Sequence, residues 1–426
     1  MPKRSSFLIT IGATIGSLCE WYNFLLYGYL APIISQLFFP TQNKLLSLIL
    51  TFFAFALSFL ARPLGGLLFG WIGDNHGRQH ALLTSLALIG AAALGLALLP
   101  TYQQIGIASP ILLCTIRIFQ GFSAGGEHTG SAIYLAETAP ANRQAFWVSL
   151  VPSSTAIGIL ISSLTALALL KHFSSAQLLS GAWRIGYFAG FLLCLISFCW
   201  RLFLPESPLF QKPNDNKLVL AELIKSQTNF KKLLFVFGLS SSWGIMYQIL
   251  FVWMPTYLSQ IHLLSHAQTL SMNSILLFIF ALLILLTAWI ADYVNKDALL
   301  KISAVALLAF AYPIFKMLNT DSLSLVYVGL GIFTLLFSIF LSTAWINMVQ
   351  AFPVNIRYTG LSLGFNLGLA FFGGTCPLVV TWLIEATGSK TSPAWYMIFA
   401  AVMALVCIQC YQTQPSPTTH NGDSKL

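Results

Sequence analysis

The stretch Pro205–Phe230, PESPLFQKPNDNKLVLAELIKSQTNF, is the longest polar interruption in a chain whose other segments are built to dissolve in hydrocarbon. On both sides of it, runs of about 20 or more apolar residues recur, the length that one helical crossing of a bilayer core requires. The reading that follows is an all-α polytopic membrane protein with twelve spans: 7–38, 45–73, 80–99, 105–137, 143–170, 182–204, 231–260, 266–292, 297–318, 322–352, 357–387 and 393–412. Residues 1–204 then form one six-helix bundle, 205–230 a cytoplasmic linker with a short amphipathic helix, 231–412 a second six-helix bundle, and 413–426 a polar cytoplasmic tail. Composition agrees: 57% of the residues are hydrophobic, 8% are charged, and the mean hydropathy is +0.80. The opening Met-Pro-Lys-Arg before an apolar run resembles a signal peptide, but the run is too long and lacks a small-residue cleavage site, so it is read as a retained first span.

Lysine and arginine set the orientation. With both termini inside, Lys3, Arg4, Arg78, Arg143, Arg201, Lys212, Lys217, Lys225, Lys231, Lys232, Lys296, Lys301, Arg357 and Lys425 fall on the cytoplasmic side. Lys44, Lys171, Arg184, Lys316 and Lys390 fall outside. The net charge of +9 thus reflects orientation in a lipid bilayer and points to no nucleic-acid partner. The seven cysteines sit nearly all in apolar spans, where a thiol acts as a small hydrophobe. Cys407 and Cys410 have C-x-x-C spacing but no further His or Cys nearby, so no metal or redox site is expected.

The halves repeat each other. ETAPANRQAF after the fourth span is echoed by QAFPVNIRYTG after the tenth, so that Pro140 and Pro353, Asn142 and Asn355, and within one residue Arg143 and Arg357 correspond. Glu20 to Pro32 has the spacing of Trp243 to Pro255, and Asp74 after the second span matches Asp292 after the eighth. Duplication of a six-helix unit is one of the known transporter architectures, with the ligand near the midplane between the halves.

RPLGGLLFGWIGDNHGRQ, Arg62 to Gln79, resembles the signature of the major facilitator superfamily, with Gly70, Asp74, Gly77 and Arg78 matching and Gln79 replacing a basic residue. EWYNF, RIFQGFSAGGEHTGSAIYLAE (Arg117–Glu137), AWRIGYF, PESPLF and RYTGLSLGFNLGLAFFGGTCPLVVTWLI (Arg357–Ile384) resemble its metabolite:proton symporter branch, which includes the proline/glycine-betaine, α-ketoglutarate, citrate and shikimate carriers. The chain departs from that pattern at Asn23, where relatives usually carry Asp, in the second-half signature IADYVNKDALLK, which lacks a Gly-Arg pair, and in a tail without heptads. The resemblance implies a gating role for Gly70, Asp74, Gly77 and Arg78 at the inner end, joined by the matched Arg143, Asp292 and Arg357. Arg62 either belongs to that inner network or reaches the interface by snorkelling.

Ionisable groups at bilayer depth usually face a cavity and have a function. On a helix, Gly16, Glu20, Asn23, Phe24 and Tyr27 share one stripe. Glu20 lies about thirteen residues from the inner end of its span, on the order of 20 Å, and Glu127 lies on the order of 15 Å from the inner end of the fourth, so the two carboxylates are candidates for one level. Glu20 is read as a proton-binding or substrate-ammonium-binding group, against a structural carboxylate held by an arginine. Glu127 is read as its proton-binding companion or as a buried clasp beside Gly125-Gly126. Arg117, with Gln120, Gly121 and Ala124 on its face, is the candidate for a substrate carboxylate, since guanidinium is permanently charged and presents a planar fork; the alternative is a structural partner of Glu20 or Glu127. His128 is either a proton-relay member or a hydrogen-bonded packing residue. In the second half Trp243, Tyr247, Trp345, Asn347 and Asn366 are the candidate cavity residues, the aromatic ones as faces for an ammonium or as interface fillers.

Charge decides among the functions. Carboxylates and one fixed cation at mid-membrane suit a proton-coupled symporter of a small carboxylate-bearing solute in a bacterial-type cytoplasmic membrane, acting as a monomer with the proton gradient as energy source and no cofactor. An exporter of a metabolite or drug on the same fold, and a non-transporting sensor, are the alternatives. No metal-ligand cluster, activated nucleophile or nucleotide loop suggests an enzyme.

Overall fold

The computed structural model describes residues 3–210, 223, 225–262 and 266–412. Each expected span corresponds to a helix or a run of helices. The twelve are α1 (Lys3–Tyr29, continued by Ala31–Phe38), α2 (Lys44–Asn75), α3 (Arg78–Leu98), α4 (Ala108–Thr138), α5 (Gln144–His172) and α6 (Arg184–Arg201) in the first half. The second half holds α7 (Gln227–Tyr247, continued to His262), α8 (His266–Ala291), α9 (Lys296–Leu318), α10 (Leu323–Gln350), α11 (Arg357–Gly368, continued to Thr387) and α12 (Pro393–Gln412). Most of the expected linker, with Lys212 and Lys217, and the tail with Lys425 lie outside the described residues.

Ten of these helices are apolar enough to be recognised as membrane spans by hydropathy alone. The two that fall short are α1 and α4, which carry Glu20 and Asn23, and Arg117, Gln120, Glu127 and His128, all buried. Their polarity is met by neighbouring helices, as hydrocarbon would otherwise demand several kcal/mol for each unpaired group.

Three helices are interrupted on the side away from the termini. Pro32 follows the break in α1, Pro255 follows a π-helical turn at Gln248–Trp253 in α7, and Pro377 follows another at Leu369–Gly373 in α11. A proline gives no N–H to the carbonyl four residues back, so each leaves the helix locally unlocked.

Glycines set the closest approaches. A Cβ at Gly65 would meet the Phe122 backbone and one at Gly121 the Ser58 backbone, which is how α2 and α4 pack at close range within one half. Gly66, Gly70 and Gly73, spaced to share a face of α2, run instead beside Ser362, Asn366, Thr359 and Tyr358 of α11 in the other half. Gly77 turns the chain from α2 into α3 with φ 110°, a conformation glycine adopts at little cost.

At the end of the bundle where α1 begins and α12 ends, the terminal end, two reciprocal caps join the halves. Asp74 accepts from the Tyr358 and Thr359 backbone N–H groups in the first turn of α11, at 3.2 and 2.9 Å, and from the Thr359 hydroxyl at 2.8 Å. Asp292 accepts from the Ala145 and Phe146 N–H groups in the first turn of α5, at 2.8 and 3.0 Å. Each carboxylate therefore satisfies orphan donors, and the positive end of a helix dipole, across the boundary between halves. Around Asp74, Arg78 pairs with Asp74 at 2.9 Å and Glu137 at 3.2 Å and donates to the Val354 carbonyl at 2.7 Å, while Arg357 pairs with Glu137 at 3.1 Å. Among the described residues Asp292 has only Lys296 as an ion-pair partner, at 3.8 Å, and Arg143 lies over the Tyr293 ring.

Removal of the Asp74 cap should open this end. In a background with the seven native cysteines replaced, a Ser362→Cys reporter on α11, whose hydroxyl now meets Thr129 across the boundary at 2.6 Å, should resist a bulky water-soluble maleimide. Asp74→Ala should raise its labelling rate several-fold and Asp292→Ala by less. Equal, slow labelling in all three proteins would show that the caps do not hold the halves together.

Candidate substrate and proton site

Six helices bring side chains to one layer in the middle of the bundle. From the first half, Glu20 of α1 accepts a 2.7 Å hydrogen bond from the Arg62 Nη2 of α2, both side chains essentially inaccessible. The Nε of Arg62 donates at 3.2 Å to the Asn366 Oδ1 of α11 in the other half. Asn366 in turn donates through Nδ2 to the Gly125 carbonyl of α4 at 2.7 Å and to the Ser362 carbonyl of its own helix at 2.8 Å. The guanidinium of Arg62 thus spans the boundary, with Trp21 at 5.5 Å, Phe24 at 5.6 Å and Phe59 at 6.0 Å around it. The inner-end reading of Arg62 is corrected by this placement: it lies deep in the bundle, away from the Asp74 and Arg78 network.

Facing this pair is an aromatic wall. His128 of α4 lies 4.8 Å from Trp345, 5.6 Å from Phe365, 6.0 Å from Trp243 and 6.2 Å from Trp21, ring centre to ring centre. Trp21 reaches across to Trp243 at 6.2 Å and Tyr247 at 5.9 Å. Within this small volume Glu20 Oε2, Arg62 Nη1, His128 Nε2, the Tyr247 hydroxyl and the indole N–H groups of Trp21, Trp243 and Trp345 are buried and have no hydrogen-bond partner among the described residues. A buried donor or acceptor left so costs about 1–3 kcal/mol, and seven of them in one layer concentrate hydrogen-bonding capacity where a polar molecule between the halves would meet it.

Arg117 of α4 sits one layer towards the far end. Nη1 donates to Gln120 Oε1, Nη2 donates to the Ser58 hydroxyl at 2.9 Å, and Nε has no partner. Its guanidinium lies over the rings of Tyr27 at 4.3 Å, Phe24 at 4.8 Å and Phe55 at 5.2 Å. Phe24 therefore stands between two guanidinium groups. The other fully buried arginines, Arg62, Arg78 and Arg201, each have a carboxylate partner, whereas among the described residues Arg117 has none. Beyond Phe55, between the halves, lies a cavity of about 350 Å³ lined by Leu25, Gly28, Phe55, Phe251 and Asn273 among others.

Other expected residues stand outside this layer. Glu127 is clasped by Arg201 of α6 through two hydrogen bonds of 2.6 and 2.7 Å, with Ser85 and Ser131 on the same carboxylate. Arg201 also donates to the Gly12, Ala13 and Leu82 carbonyls, so this pair belongs to the interior of the first half. Glu20 and Glu127 have separate arginine partners and do not share one. Asn23 packs against α6, donating to the Cys19 carbonyl at 2.9 Å and towards Gly190 at 3.5 Å. Tyr27 donates its hydroxyl to the Thr51 carbonyl at 3.1 Å while its ring lies under Arg117. Asn347 turns back to the Thr343 carbonyl at 3.0 Å, nearer the terminal end than Trp345. Trp21, Phe59, Phe365 and Arg201 were not expected. Trp21 adjoins Glu20, and Arg62 stands twelve residues before Asp74, about 18 Å along a helix and hence at Glu20's depth; that arithmetic is a signal present in the sequence.

Comparison with known proteins agrees with this architecture. The family model for sugar (and other) transporters matches residues 9–222. A candidate proline/betaine transporter of Staphylococcus haemolyticus is 34% identical over 410 residues, covering 94% of this chain and 86% of that protein. The proline/betaine transporter of Escherichia coli K12 is 29% identical over 409 residues, covering 92% and 81%. The solved structure of the E. coli proton:xylose symporter XylE bound to 6-bromo-6-deoxy-D-glucose superimposes with a TM-score of 0.81 at 17% identity, covering 97% of each chain. The chain is a multi-pass membrane transporter and belongs to the major facilitator superfamily.

Proposed function

We propose that this transporter takes up a small carboxylate-bearing solute, with a zwitterion of the proline or glycine-betaine kind favoured, together with a proton. It works by alternating access as a monomer, and the proton gradient is its energy source without any cofactor. The terminal end is the cytoplasmic one, in keeping with its excess of lysine and arginine. The observation that carries the proposal is Arg117: a fully buried guanidinium with no carboxylate partner among the described residues, one aromatic ring away from the Glu20–Arg62 pair. An uncompensated charge at this depth costs several kcal/mol, and an incoming carboxylate relieves it. The names of the relatives from S. haemolyticus and E. coli support the zwitterion class.

The cycle follows from these contacts. A solute entering from the far end passes Phe55 and gives its carboxylate to the fork of Arg117, with its ammonium against the faces of Phe24 and the tryptophans beyond. A proton arriving at Glu20 neutralises the partner of Arg62, and removing one member of a buried pair is worth about 3–5 kcal/mol. Arg62 is the group that also holds Asn366, so loss of its counter-charge leaves an uncompensated cation buried where the halves meet and destabilises this arrangement of them. The far end closes, the terminal end opens, and release of the proton there restores the pair. His128, next to both Trp21 and Trp243 with Nδ1 3.3 Å from Thr155, is placed to pass the proton or to hold the wall in position.

Two measurements in proteoliposomes test this reading. First, purified protein should accumulate labelled proline or glycine betaine against a concentration gradient when an inward proton gradient is imposed. Glu20→Gln should abolish that accumulation while leaving solute exchange across the membrane; gradient-driven accumulation at the wild-type rate by Glu20→Gln would remove Glu20 from coupling. Second, Arg117→Lys keeps the charge but loses the fork, and should raise KM about tenfold or more, as expected for losing a charged hydrogen bond. An unchanged KM in a correctly folded Arg117→Lys protein would place the carboxylate elsewhere.

A further inference from the structure

The far-end cavity of about 350 Å³ differs in chemistry from the central layer. Among the described residues no charged side chain lines it; its walls include Tyr29, Phe52, Phe55 and Phe251, supplied by both halves of the molecule. Its distinctive polar member is Asn273 of α8, whose side chain is almost fully buried at 3% exposure. The carbonyl of Phe251 is the one that Pro255, four residues on, leaves without its usual donor, and Asn273 Nδ2 donates to it at 3.1 Å. That bond settles which end of the amide is nitrogen, because the reverse orientation would set two oxygens against each other. Asn273 Oδ1 is left as an acceptor with no partner among the described residues.

A carboxylate would find no cation among the described lining residues, only the neutral hydroxyls of Tyr29, Ser163 and Thr256 as donors, and the Asn273 oxygen would repel it. An ammonium with at least one N–H would find the amide oxygen to donate to and aromatic faces to lie against, and an apolar body would fill the rest. Gly28 marks the same space from α1: a Cβ there would meet nothing within 4 Å, unlike the glycines at the helix contacts. We propose that this cavity is a second binding site, separate from the Arg117 and Glu20–Arg62 layer, for an apolar primary or secondary ammonium. Because both halves line it, its occupant is expected to keep the far end from closing and so to inhibit the transporter without being carried. This inference stands on the cavity and Asn273, and it holds whether or not the solute is a zwitterion.

The test reads binding, so it is independent of transport. Thermal unfolding of the full-length protein in detergent is followed with phenethylammonium chloride as probe and sodium phenylacetate as the matched anion. Phenethylammonium should raise Tm and phenylacetate should not. Gly28→Leu, whose Cβ would meet nothing within 4 Å and whose bulk takes up cavity space, should keep the Tm of the unliganded protein and lose the shift, with Gly28→Ala retaining it. Asn273→Leu should weaken binding roughly tenfold, the worth of one hydrogen bond to a charged group. No shift with the wild-type protein, an equal shift with phenylacetate, or a shift that survives Gly28→Leu would overturn the proposal. A shift that is lost in Glu20→Gln and kept in Gly28→Leu would assign the amine to the central pair and overturn it equally.

Discussion

Arg62 is charged whatever its surroundings, and it is buried where no water compensates it, so something in the protein always has to answer that charge. In the conformation described, the answer is divided: a carboxylate from its own half, Glu20, and an amide oxygen from the other half, Asn366. The rest of the centre is arranged around this division. Asn366 is fixed in turn by the Gly125 and Ser362 carbonyls, Gly66 leaves room for it, and the aromatic wall excludes water from the pair. One guanidinium therefore ties a carboxylate of one bundle to an amide of the other.

The second buried pair shows what this arrangement adds. Arg201 and Glu127 are bonded twice to each other, and their remaining capacity is met by two serines and three carbonyls, all from the first half. A network satisfied so fully inside one body is suited to keep that body rigid. The Glu20–Arg62 pair, by contrast, leaves one oxygen and one nitrogen unbonded among the described residues and reaches across the boundary between the halves. Two carboxylates that look alike in the sequence thus differ because one has all its partners in a single rigid unit.

Much of the fold is legible in the sequence because lipid imposes a length on apolar segments, and the twelve runs stand out against short polar breaks. Depth along a helix is legible too, since rise per residue is constant, and Glu20, Phe24, Trp243 and Asn366 come to one layer as their positions imply. Rotation is less so. Asn23 is only three residues from Glu20, yet it is turned against Gly190 of α6, because a stripe about 60° wide already spans two neighbouring helices. Pairing is hardest to read: which arginine meets which carboxylate depends on helix neighbours, and so Arg62 and Arg201, rather than Arg117, hold the two intramembrane glutamates.

The glycine face of α2 has a thermodynamic consequence. Where Gly66, Gly70 and Gly73 run along α11, the halves meet largely through backbone and a few polar groups instead of interlocked apolar side chains. Separating such surfaces exposes little hydrocarbon, and the bonds that break are ones water can replace. The heat-capacity change on parting this face is correspondingly small, so the enthalpy of separating it varies little with temperature.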